Sequence, residues 1–69
     1  MTYRECVKML TSAGVDSARF DAGVIFEKLF GVSSAELPLI MDKDFESDEL
    51  SLWISRRMSG EPLQYIIGE

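Results

Sequence analysis

The stretch that decides the fold is Ala18-Arg19-Phe20-Asp21-Ala22-Gly23-Val24-Ile25-Phe26-Glu27-Lys28-Leu29-Phe30-Gly31. Ala18, Ala22, Ile25, Phe26 and Leu29 recur at the three- and four-residue spacing of one helix face. Phe20 and Val24 form a second apolar patch on another side. A helix that is apolar on two sides is the central one of a bundle. Asp16 and Ser17 precede it as cap candidates, and Gly31 stops it. Gly23, in its middle, costs about 1 kcal/mol relative to Ala; a glycine there suits a close helix crossing.

Outward from this segment the chain is punctuated for helices. Thr2-Tyr3-Arg4-Glu5 is a capping box, a hydroxyl with a carboxylate three residues on. Tyr3, Cys6, Val7 and Leu10 then share one face, and the helix should end near Ala13 with Gly14 as its left-handed cap. Downstream, Ser33-Ser34-Ala35-Glu36 reads as a second capping box, opening a third helix with Leu37, Ile40 and Met41; Pro38 makes that helix short or irregular. Asp42 to Glu46 is a charged connector. Ser47 caps a fourth helix, with Asp48 and Glu49 where the helix dipole favours them and Leu50, Trp53, Ile54 and Met58 on its apolar face. Gly60 ends it, Pro62 starts a final short helix carrying Leu63, Ile66 and Ile67, and Gly68 closes that. Strand signals are weak throughout. The expected fold is all-α, a compact bundle of about five short helices.

The chain has 69 residues, one small domain at most. Apolar types make up 46% and charged types 28%, a globular balance. A domain this size buries only about 60% of its unfolded surface, enough for one modest core and too little for an elaborate enzyme cleft. A single cysteine excludes an internal disulfide framework. With no histidine either, it excludes an ordinary zinc site and the usual nucleophile–histidine machinery. Cys6 lies on the core face of its helix and reads as a small buried apolar residue. The balance of 7 Lys+Arg against 12 Asp+Glu gives a net charge of −5, which argues against direct nucleic-acid binding. Asp42, Asp44, Glu46, Asp48 and Glu49 lack the turn glycine and regular spacing of a calcium loop; they read as a solvated connector able to attract a basic surface. The apolar run Val32 to Met41 contains Glu36 and Pro38 and falls far short of the ~20 residues of a membrane span. The N-terminal Met-Thr-Tyr-Arg-Glu is no secretory signal, so a cytoplasmic address without a membrane partner is expected.

Arg56-Arg57-Met58-Ser59-Gly60-Glu61-Pro62-Leu63-Gln64-Tyr65-Ile66-Ile67-Gly68-Glu69 is distinctive. It resembles the end of the N-terminal domain in the HemK-type (PrmC) release factor glutamine methyltransferases. Ala13 to Ala22 resembles that family's second-helix region, and Phe30-Gly31-Val32-Ser33 and Glu36-Leu37 also fit. The resemblance covers essentially the whole chain. One departure is Gly23, where the family commonly has a carboxylate. The family's enzymes continue into a Rossmann-like domain that binds S-adenosylmethionine and carries an Asn-Pro-Pro-Tyr motif; neither that motif nor a Gly-rich cofactor loop is in these residues. The resemblance thus implies that residues 1–69 are an N-terminal, substrate-recognition domain, with the catalytic domain absent from this chain. The parent enzyme would methylate the glutamine of the Gly-Gly-Gln loop of a bacterial release factor. This domain would help to dock that factor, and alone it would hold no cofactor and transfer no methyl group.

Five residues are candidates for contact with the release factor or with the catalytic domain: Arg56, Arg57, Glu61, Gln64 and Tyr65. Arg57 falls inside the arc of Leu50, Trp53, Ile54 and Met58. A buried arginine needs a partner, so an internal ion pair, with Asp21 as first candidate, outweighs a partner contact. Arg56 lies off that face and reads as solvated, on a surface a partner could use. Gln64 and Tyr65 point away from Leu63, Ile66 and Ile67, towards a missing domain, although Tyr65 packed against the fourth helix is the plainer alternative. The rival function is a stand-alone helical protein-interaction module. An acyl carrier reading of Asp16-Ser17-Ala18 lacks the leucine such sites use, and the second and third helices are too acidic for a DNA-reading pair.

Overall fold

Thr2 opens the first helix as its sequence predicts. Its hydroxyl accepts from the Glu5 N–H at 3.0 Å, and the Glu5 carboxylate accepts from the Thr2 N–H at 2.7 Å. The resulting helix, α1, spans Tyr3–Ser12 and ends at Ala13, with Gly14 at φ +88°. The structure, a computed structural model, describes residues 1–68; Glu69, the last residue of the C-terminal motif, lies outside the described residues. Helix α2 runs over Ala18–Phe30 and closes on Gly31 in the left-handed region. Helix α3 spans Asp48–Met58, and α4 spans Leu63–Ile67. Ser47 caps α3 by accepting from the Leu50 N–H at 3.1 Å. Among the described residues there is no strand.

Three local expectations change. The third helix shrinks to a 3-10 turn, Leu37–Leu39, because Pro38 has no N–H to continue an α-helical ladder. Its capping box is half built: Glu36 accepts from the Ser33 N–H at 3.0 Å, but no side chain caps the turn in return. Ser17 occupies the cap position of α2, yet its hydroxyl donates to Asp21 Oδ2 at 3.0 Å instead of capping the helix. Among the described residues the fold is therefore four α-helices and one 3-10 turn.

Helix α2 is the central element and packs against α1, α3 and α4. Phe26, Ile25, Leu10, Leu50, Ile54 and Cys6 are fully buried. Trp53 is half-buried and packs against this core from α3. Burial pushes the Cys6 thiol up to about 11, so it is an inert apolar group at neutral pH. The second patch of α2 behaves differently from the first: Val24 is half-buried and Phe20 remains 70% exposed.

The charged connector is more than a solvated strap. Phe45 turns inward, with its ring centroid 5.1 Å from Phe26 and 4.6 Å from Phe30. The Tyr3 ring meets Phe26 edge-on at 5.5 Å. Such pairs add about 0.5–1.5 kcal/mol each beyond area burial. The Arg4 N–H, an orphan donor of the first helical turn, donates to Met41 O at 3.1 Å. Phe45 N donates to Met1 O at 3.1 Å, and the Met1 ammonium donates to Phe45 O at 3.1 Å. The connector is stitched to the start of α1. At Gly23 the close approach is to this same region: a Cβ there would lie 3.3 Å from Leu37 Cδ1. The glycine thus admits the 3-10 turn and not a crossing helix.

Candidate functional site

The α3–α4 corner is built from Arg56, Arg57 and Glu61. Arg57 lies in the last turn of α3 on its apolar side, facing α2. Its Nε donates to Asp21 Oδ2 at 2.9 Å, where the Ser17 hydroxyl also donates. Its Nη1 donates to the Glu61 carbonyl at 3.2 Å. Asp21, with only 5% of its side chain exposed, is thus paired, as a buried carboxylate must be.

Arg56 is not merely solvated. Its Nε donates to Glu61 Oε2 at 2.6 Å, and its Nη2 bridges the same oxygen. The Glu61 N–H in turn donates to the Arg56 carbonyl at 3.2 Å. What brings the two side chains together is the reversal between them: Gly60, at φ +99°, sits where an L side chain is strained. Carboxylate, carbonyl and N–H of Glu61 are all engaged, so the direction in which the chain enters α4 is fixed.

Of the five candidate residues, three therefore hold the corner together and two remain outward. Gln64 is exposed on α4, and Tyr65 is 68% exposed rather than packed against α3. The corner is suited to presenting a side-chain amide and a phenol on a rigid support.

The acidic connector is electrostatically occupied. The Arg4 guanidinium donates to Asp42 at 2.8 Å and holds that carboxyl below the usual range. The Met1 ammonium hydrogen-bonds Asp44 and does the same there, while Asp44 raises the amine. Among the described residues no group of three or more His, Cys, Asp or Glu is placed to hold a metal ion.

A second surface was not read from the sequence. Between α1, the start of α2 and the 3-10 turn lies a groove of about 510 Å³. Its walls include Val7, Leu37, Pro38 and Met41, and Arg4, Lys8 and Arg19 stand along it. Tyr3 closes one side, its hydroxyl donating to the Arg19 carbonyl at 3.0 Å. The available signal was the Arg4/Lys8 spacing, which puts two cations on one face of α1. The groove itself depends on where the 3-10 turn packs.

The family model of the PrmC N-terminal domain matches residues 2–68. A release factor glutamine methyltransferase of Streptomyces coelicolor is 38% identical over 64 residues, which cover 93% of this chain and 22% of that protein. The chain thus spans about a fifth of the length of the curated relative it matches. No solved structure matches. No helix among the described residues is long and apolar enough to cross a membrane.

Proposed function

The chain belongs to the family of PrmC N-terminal domains, and from that premise we propose that it is the substrate-docking domain of a release factor glutamine methyltransferase. The observation that carries this reading is the family match over residues 2–68, joined to a relative named for that activity. In this reading the domain grips a bacterial peptide chain release factor in the cytoplasm. It sets the glutamine of the Gly-Gly-Gln loop against a catalytic domain carried by the rest of a longer enzyme. The partners are proteins, not nucleic acid, and residues 1–69 transfer no methyl group by themselves.

The build of the domain supports that division. S-adenosylmethionine belongs to the remainder of the enzyme, because the residues here do not fit it: Gly14, Gly31, Gly60 and Gly68 follow helices as left-handed terminators and open no cofactor loop. The α3–α4 corner is rigid enough to fix an interdomain angle, with Gln64 and Tyr65 facing the catalytic domain and the paired Arg56, Arg57 and Glu61 behind them.

The test is a titration of the isotopically labelled domain with a bacterial release factor, followed by amide shifts. A modest contact area makes binding weak, with a Kd on the order of micromolar or above. Saturable shifts confined to one surface are expected; their absence up to near-millimolar release factor would defeat the docking role.

A further inference from the structure

We infer that the groove between α1, the start of α2 and the 3-10 turn is the docking surface itself, and that it takes an acidic segment with apolar side chains on the partner protein. This deepens the docking role and rests on it.

Charge distribution argues for the sign of the occupant. The chain is acidic overall, at −5. Yet the residues lining the groove include three of its 7 Lys+Arg, at Arg4, Lys8 and Arg19, and no carboxylate. Arg4 is engaged by Asp42. No ion pair engages Lys8 or Arg19 among the described residues. A local cationic rim on a molecule of opposite net charge selects a partner by sign and register. An anionic nucleic acid would meet the same rim but also the net negative field, and it lacks the apolar anchors the walls call for.

Shape and composition argue for an apolar anchor. Arg19 lines the groove and two hollows flanking it, which also carry Asp16 and Glu27. Phe20 lines both hollows and stays 70% exposed, next to Arg19 in the first turns of α2. An exposed aromatic beside an arginine, next to a groove walled by Val7, Leu37, Pro38 and Met41, is the composition of an interface hot spot.

The experiment titrates a bacterial release factor into the wild-type domain and into Arg19→Glu, Arg19→Lys and Phe20→Ser variants, at low and moderate salt. Arg19 is exposed in the first turn of α2, where a glutamate suits the helix dipole. Arg19→Glu therefore keeps the fold, which circular dichroism checks. The expected results are shifts centred on Val7, Lys8, Arg19, Phe20 and Leu37, and affinity falling with salt. Arg19→Glu and Phe20→Ser should each bind at least about tenfold more weakly, while Arg19→Lys stays within about threefold of wild type. If the release factor binds wild type and the glutamate and serine variants equally, or shifts map to α4 instead, the groove is not the docking surface although the docking role stands. If it does not bind wild type at all, the docking role fails and this inference fails with it.

Discussion

Two arginine–aspartate pairs in this domain have nearly the same geometry and opposite settings. Arg57 meets Asp21 at 2.9 Å, with 21% and 5% of the side chains exposed. Arg4 meets Asp42 at 2.8 Å, with 58% and 74% exposed. The first joins α3 to α2, and its carboxylate has left water. The second ties the connector to α1 in full contact with solvent. Distance does not rank them. Removing one partner from a buried pair strands a desolvated charge, whereas an exposed pair exchanges one hydrated state for another. The α3–α4 corner depends on its charges for its shape, while the connector is held chiefly by Phe45 and by backbone bonds to Met1 and Arg4.

The sharpest way to break this contrast is Arg57→Ala, which should cost about 3 kcal/mol in urea unfolding. A domain of this size has a total stability of roughly 3–10 kcal/mol, so the variant sits near the edge of folding. An unchanged midpoint would place the pair with the surface pairs. Replacing both partners together, Asp21→Leu with Arg57→Met, should recover most of that loss and end within about 1 kcal/mol of wild type, because no orphan charge remains.

On the connector side, Gly23→Ala should raise stability by less than about 1 kcal/mol, the gain in helix propensity. Its new methyl meets only the tip of Leu37, which borders a groove and has room to move a few tenths of an ångström. A destabilised Gly23→Ala would show that the 3-10 turn is pinned.

Smaller still is the pH dependence. Asp42 and Asp44 are held below their ordinary value of 3.8 by hydrogen bonds to Arg4 and the N-terminal amine. The stability they lend is present above pH 3.8 and is lost as pH falls through the lowered values. The Met1 amine is raised above 8.0, chiefly by its hydrogen bond to Asp44. Its contribution is present below pH 8.0 and is lost as pH rises through the raised value. Thermal unfolding should show an acid and an alkaline decline. N-terminal acetylation should remove only the amine's share of the alkaline one, because the buried Cys6 thiol, pushed up to about 11, also favours the unfolded chain as pH rises. Smallest is Arg4→Ala, for which no resolvable midpoint shift is expected at moderate salt.

The helices were legible because their ends are written locally. Thr2 with Glu5, Ser47 and the glycines at 14, 31, 60 and 68 act within a turn of their own positions. The Arg57–Asp21 pair was legible too, since a cation on an apolar arc demands a buried anion. The Arg56–Glu61 bond was hidden because five residues along a helix do not face each other; only the reversal at Gly60 brings them together. Phe45 was hidden among four charges, where one aromatic carries no periodicity. The groove was hidden for a third reason: its walls come from three elements, and one of them is a 3-10 turn that packs close to α2 at Gly23.

The docking role is tested most directly by transplantation. In the Streptomyces coelicolor release factor methyltransferase, the segment this chain matches is either deleted or replaced by residues 1–69, and methyl transfer to a release factor is followed. Deletion should raise KM for the release factor at least about tenfold with less change in KM for S-adenosylmethionine, and replacement should bring it back to within about threefold of the parent. A deleted enzyme with an unchanged KM for the release factor would contradict a docking domain.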